Sequence, residues 1–235
     1  LIKKLPVNQP VTCRGIRNAI FAYFSPMEQF NPLAARFLID QYGEGGNILD
    51  INSGWGDRLA GFMASNAEAY TGICDSPDLL NCYIDQIDFL TDLKNDDQDV
   101  SISFEKSEIL EYDSGVYDLI LTSIPRYNLH KGDAASQNHR SLSAWKKDYL
   151  KPSIESAWEG LKTNGYMCIH LDDYKKNGNR VNIVNYLTGS IGTELKATRL
   201  PPIGYQISRN EKNLIEPIWI FKKTNKLSKN SMWNL

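Results

Sequence analysis

The residues with the clearest capacity for chemistry lie in one stretch, Leu49-Asp50-Ile51-Asn52-Ser53-Gly54-Trp55-Gly56-Asp57-Arg58. A short apolar run over Asn47–Ile51 reads as a buried strand. The turn after it carries Gly54 and Gly56, and a helix is expected from Asp57 to about Ser65. This order lets the backbone approach a nucleotide-like ligand, because glycine reaches positive φ and has no Cβ in the way. The GxGxxG dinucleotide fingerprint is absent. On the residues alone, a tight strand-to-helix turn with no ligand stays open. No Walker loop, Ser/His/Asp triad or zinc-ligand spacing is legible elsewhere.

The elements that must position this turn alternate from about residue 32 onward, the pattern of a mostly parallel sheet with helices on both faces. Asn31-Pro32 supplies an N-cap and a first helical residue, and Leu33, Phe37 and Leu38 recur at helical spacing up to Tyr42. Strands are expected at 69–74, 100–104, 117–122, 166–171 and 217–221. A helix over 77–93 carries an apolar stripe of Leu80, Ile84, Ile87 and Leu90. A polar, mobile loop is expected over 126–141. A long helix over 142–162 follows, burying Trp145, Tyr149, Ile154 and Trp158, with Asn164-Gly165 ending it. A further helix is expected over Asn179–Leu187. The reading is one domain over 31–223, after a lead-in segment 1–30 and before a polar tail 224–235, where the Lys/Asn/Ser-rich stretch reads as solvated.

Composition bounds the function. Of 235 residues, 42% are hydrophobic and 23% charged, as in a globular protein with one sizeable core. The net charge of −2 argues against strong autonomous grip on DNA or RNA, which rests on basic surfaces. It leaves open a nucleic-acid substrate presented by a partner subunit. Cys13, Cys74, Cys82 and Cys168 show no ligand spacing and are expected to be reduced, in an intracellular, reducing compartment. No apolar run reaches the ~18 residues of a membrane span.

The turn Leu49-Asp50-x-x-x-Gly54-Trp55-Gly56-Asp57-Arg58-Leu59 resembles motif I of S-adenosylmethionine (SAM)-dependent methyltransferases, in particular those related to DNA amino-methyltransferases with a Ser-Pro-Pro-Tyr motif. Other segments resemble that family in order: Phe30-Asn31-Pro32, Tyr70-Thr71-Gly72-Ile73, the run Tyr117 to Pro125, Tyr149-Leu150-Lys151-Pro152 with Leu161 to Gly165, and Glu216-Pro217-Ile218-Trp219. The resemblance spans about residues 30–223. It implies a Rossmann-like class I methyltransferase fold with a mostly parallel seven-stranded sheet. It also implies SAM as cofactor, held by Asp50, Asn52, Gly54, Trp55 and Gly56 against its methionine and ribose parts.

The chain departs from the family at Ile51 beside the glycine turn and at two further places. The acid at the end of the second strand, which accepts from the ribose hydroxyls, aligns on Cys74, with Asp75 one residue later. A one-residue shift turns a side chain to the other face unless the strand bulges. Asp75 could alternatively cap the helix starting near Pro77. The catalytic Ser-Pro-Pro-Tyr reads Ser123-Ile124-Pro125-Arg126, followed by Tyr127. By resemblance, Ser123 and the Pro125 backbone orient a target amine, while Arg126 or Tyr127 stacks on an extruded base. Glu108 is placed near the adenine edge of SAM, or else is a surface carboxylate. His130 occupies a position often acidic in the family, and His170 reads as a satisfied buried histidine rather than a base.

Two functions follow. One is a methyltransferase acting on the exocyclic amine of adenine or cytosine. The other is an inactive relative that binds or scaffolds within a larger complex, favoured by the Ile51, Cys74, Ile124 and Arg126 departures. A small-molecule or protein substrate is a third, since fold alone names no substrate.

Overall fold

Asn31 caps the first helix: its side-chain oxygen accepts from the Leu33 N–H at 2.9 Å, and Pro32 takes the first helical position, where a missing N–H costs nothing. The computed structural model describes residues 30–91, 97–128, 134–176, 178–206 and 215–224. Cys13, His130 and the polar tail beyond residue 224 lie outside them. Helix α1 (Pro32–Tyr42) buries Ala35, Leu38 and Ile39. Leu33 and Phe37, part of the apolar spacing that marks the helix, stay exposed. The periodicity finds the helix but misjudges the edge of its buried face.

Five strands run parallel: β1 (Asn47–Asp50), β2 (Ala69–Ile73), β3 (Asp99–Ser103), β4 (Tyr117–Ser123) and β5 (Leu161–His170). A two-stranded hairpin, β6 (Tyr174–Lys176) and β7 (Asn179–Val181), stands apart from them. Then come β8 (Thr198–Arg199), β9 (Ile203–Gln206) and β10 (Ile215–Lys222), with β10 antiparallel to β5 and pairing both β8 and β9. The main sheet, in the order β3-β2-β1-β4-β5-β10-β8 with β9 also on β10, has eight strands, one more than expected. The chain moves outward from β1 to β3, then restarts on the other side of β1 with β4. Such a reversal opens a crevice at the carboxyl ends of β1 and β4.

Both sheet faces are covered. Leu119 and Leu121 of β4 pack with Leu38, Phe62 and Tyr83 on one face, while Ile120 packs with Trp145, Ile154 and Trp158 on the other. That double burial is why β4 reads as a near-continuous apolar run. The first layer holds α1, α2 (Asp57–Met63) and α3 (Leu80–Leu90); the second holds the long helix over residues 142–160.

Several expected elements differ. Helix α3 follows a 3₁₀ turn over Pro77–Leu79 and buries Tyr83, while Ile84 faces out. The segment 126–141 contains a short helix, Ala134–Gln137, with Ala135 and Ser136 buried. It is held by Trp145 Nε1 donating to the Ala135 carbonyl at 2.8 Å and Ser136 Oγ to that of Arg126 at 2.6 Å. The 142–160 helix buries its expected four aromatic and aliphatic residues but widens to a π-helical turn over Lys146–Leu150. It stops at Gly160, and β5 starts at once. Asn164 lies inside that strand at φ +70°, a conformation asparagine tolerates. Lys223 Nζ satisfies the helix end, donating to the carbonyls of Trp158 (2.7 Å) and Leu161 (2.8 Å). Asn179–Val181 is a strand, not the start of a helix; the helix follows, with a π-helical turn over Tyr186–Ile191.

Candidate functional site

Asp50, the last residue of β1, is fully buried and fully engaged. Its Oδ2 accepts from Arg58 Nε at 2.6 Å and from the Tyr70 hydroxyl at 2.8 Å, and its Oδ1 accepts from the Asn52 N–H at 3.1 Å. Arg58 also donates to the Asn52 carbonyl. Burial alone would lower the Arg58 pKa, but the Asp50 charge reverses that and raises it. Burial beside the same carboxylate pushes Tyr70 well up. Asp50 therefore shapes the turn from beneath, with Arg58 as the strut.

The turn itself is tied to its neighbours. Ser53 donates to the Ile73 carbonyl through both its N–H (2.8 Å) and its Oγ (2.7 Å), joining the turn to β2. From α3, the Tyr83 hydroxyl donates to the Gly54 carbonyl at 2.7 Å and Gln86 Nε2 to that of Gly56 at 2.9 Å. Burial raises the Tyr83 pKa, which keeps the hydroxyl a donor. Gly54 and Gly56 sit at φ +57° and +83°, the region that favours glycine. A Cβ on Gly54 would meet nothing closer than 3.8 Å, whereas one on Gly56 would fall 1.9 Å from Gln86 Oε1. Trp55, at the tip, is 51% exposed. Asn52 Oδ1 accepts from the Tyr149 hydroxyl at 2.8 Å, and its buried Nδ2 has no hydrogen-bond partner among the described residues.

At the end of β4 the predicted catalytic residues separate. Ser123 Oγ lies 2.9 Å from His170 Nδ1, opposite it in register on β5. His170 Nε2 lies 2.8 Å from Glu216 Oε2, a charge contact bent away from the line of a hydrogen bond. The other Glu216 oxygen pairs with Arg126. Burial pushes the Glu216 carboxyl up, but His170 and the Arg126 guanidinium together outweigh it and hold its pKa below the ordinary value. Arg126 is thus turned into the protein, with its guanidinium 5.9 Å from the Tyr174 ring centroid, and does not present a stacking face to a base. Tyr127 is half-buried, its ring 6.3 Å from that of Trp145. Pro125 is half-buried between Ile124, which is buried, and Arg126.

Cys74 is buried at the end of β2, and burial raises its thiol pKa. Asp75 is exposed, and its Oδ2 accepts from the Ala135 N–H at 3.2 Å. It ties the segment after β4 to the end of β2; helix α3 has no side-chain cap. Glu108 is half-buried on a 3₁₀ turn over Ser107–Ile109. Ser53, Tyr83, Gln86, Tyr149 and Glu216 had no local signal as site residues. Ser53 ties the turn to β2, Tyr83, Gln86 and Tyr149 each reach the turn through one contact, and Glu216 meets His170 only because β10 runs back along β5. Among the described residues, no cluster of His, Cys, Asp and Glu could hold a metal ion, and no helix is long and apolar enough to cross a membrane.

No family model and no curated protein matches the chain. Solved structures do. A class I SAM-dependent methyltransferase assignment from Listeria monocytogenes superposes with a TM-score of 0.59 at 13% identity, covering 92% of this chain and 68% of that one. A SAM-dependent methyltransferase from Clostridium acetobutylicum gives 0.57 at 11%, covering 91% and 100%. An rRNA methylase from Streptococcus thermophilus gives 0.55 at 12%, covering 85% and 100%. At these identities the likeness is one of fold, and the chain has the Rossmann-like fold of class I methyltransferases.

Proposed function

We propose that this chain binds SAM at the 50–56 turn and directs methyl transfer to an amine brought to the end of β4. The observation that carries the reading is Asn52 Nδ2, a buried donor with no partner beside a glycine turn at the sheet's crevice. Leaving such a donor unsatisfied costs about 1–3 kcal/mol, which an acceptor atom of a ligand would recover. The fold's resemblance to SAM-dependent enzymes supports the same ligand. Bound there, SAM supplies an electrophilic methyl group. Asn52 and the turn backbone hold the ligand, Trp55 shields it, and Ser123 Oγ orients the acceptor.

The acceptor we favour is the exocyclic amine of adenine or cytosine, from the place of Ser123-Ile124-Pro125 after β4 and the rRNA methylase among the similar structures. With a net charge of −2, presentation by a partner subunit fits better than unaided capture of nucleic acid. The inward-turned Arg126 favours a second reading, a SAM-binding scaffold without transfer. Titration calorimetry with SAM and its demethylated product, followed by transfer of labelled methyl to DNA, RNA and nucleosides, separates the two. Binding with transfer supports the first reading and binding alone the second, while a wild-type chain that binds neither compound sinks both.

A further inference from the structure

We propose that Ser123, His170 and Glu216 form a proton relay, through which the proton displaced from the methyl acceptor leaves the site. The inference rests on the proposed function and deepens it. Sequence shows no triad because the three residues are separated by more than forty positions and come from three strands: the ends of β4 and β5 and the start of β10. The fold aligns them. Ser123 Oγ meets His170 Nδ1 at 2.9 Å, and His170 Nε2 meets Glu216 Oε2 at 2.8 Å.

The direction of the relay follows from the partners. The Glu216 carboxylate lies 2.8 Å from Nε2, off the line of a hydrogen bond, and its charge favours the imidazole proton on that nitrogen, which leaves Nδ1 to accept from the Ser123 hydroxyl. Arg126 balances the Glu216 charge, so the cluster with neutral His170 is neutral overall. A proton arriving on His170 makes an imidazolium against Glu216. The Phe30 and Tyr205 rings pack edge-on with the imidazole, their centroids 5.6 and 5.2 Å from that of His170. They wall the imidazole from water. Tyr205 is fixed in turn by the Asn31 N–H donating to its hydroxyl at 2.7 Å. A histidine present only for packing needs neither the carboxylate nor the serine.

In the transfer step the acceptor's lone pair forms the new bond to the methyl carbon, and the carbon–sulfur bond breaks with its electron pair going to sulfur. The acceptor's N–H proton passes to Ser123 Oγ as the Ser123 hydroxyl proton passes to His170 Nδ1. Atoms and charge balance: sulfur loses its positive charge and His170 gains one, to be returned to solvent after the product leaves. Ser123 touches the acceptor and is the catalytic residue; His170 and Glu216 act through it as positioning residues.

The test uses the full chain and two readouts. With three histidines in the sequence, ¹⁵N-histidine NMR can assign His170 by comparison with His170→Asn. The wild type is expected to carry the Nε2–H tautomer, and Glu216→Gln to lose that preference. The charged groups around His170 are Glu216, Arg126 and Asp172, with Arg58 behind Phe30 and Asp57 near Tyr205. The pH profile of kcat should lose its acidic limb in His170→Asn, and kcat near neutral pH should fall about 100-fold or more, with SAM affinity within about twofold of wild type. Ser123→Ala, a smaller change that keeps the fold, should reproduce the loss. An Nδ1–H tautomer, or an unchanged pH profile in both variants that still bind SAM, overturns the relay alone. Wild type that does not bind SAM, or binds it without transfer, overturns the transfer reading and the relay together.

Discussion

Arg58 Nε and Asp50 Oδ2 lie 2.6 Å apart beneath the glycine turn, with side chains 6% and 0% exposed. Removing one member of such a pair leaves the other charge buried, so Asp50→Asn should destabilise the fold by about 3–5 kcal/mol. Urea denaturation measures it. The Asp50→Asn/Arg58→Met double variant should lose less than the two single variants summed; strict additivity would mean the pair does not act as a unit.

The two glycines of the turn should behave differently. Gly54→Ala meets only ordinary van der Waals contacts, the nearest at 3.8 Å, and should cost the left-handed backbone penalty, about 1–2 kcal/mol, with ligand affinity largely kept. Gly56→Val adds a branched side chain against Gln86 and should abolish SAM binding by calorimetry while circular dichroism still reports a folded chain. If both variants bind SAM like the wild type, the ligand does not lie at this turn.

Thr122 points the other way. Its side chain is completely buried on β4 and its hydroxyl has no hydrogen-bond partner among the described residues. Thr122→Val keeps the shape and removes the unsatisfied group, so it should stabilise the chain by about 1–2 kcal/mol. A thermal melt that falls would show that the hydroxyl is satisfied in solution.

The Glu216 carboxyl has a folded-state pKa below its ordinary 4.5. The sign follows: the stability it contributes is fully present above that ordinary value and is lost as the pH falls through the lower folded value. Glu216→Gln should therefore be less stable than wild type near neutral pH, with the gap closing in acid. Equal slopes of stability against acid pH in the two proteins would remove Glu216 from the account.

Much of this was legible where the cause is local. Asn31-Pro32 marked a helix start, the double-sided burial of β4 marked its run of apolar residues, and the glycine turn marked its own place between strand and helix. What the sequence hid depends on packing from afar. Nothing near Ile84 says that Tyr83 is the residue turned inward to reach Gly54. Asn179–Val181 reads as helical until its pairing with Tyr174–Lys176 is seen. Arg126 reads as a base-stacking residue because its partner, Glu216, is ninety positions away.

That last distance has a consequence for how the protein is made. Ser123, Arg126 and His170 are all synthesised before Glu216, the carboxylate that both Arg126 and His170 face in the folded chain. The same strand that brings Glu216 to one end leads directly into Lys223, which closes the helix over 142–160 at the other. A chain ending before β10 would lack both contacts, the carboxylate beside His170 and Arg126 and the lysine at the helix end.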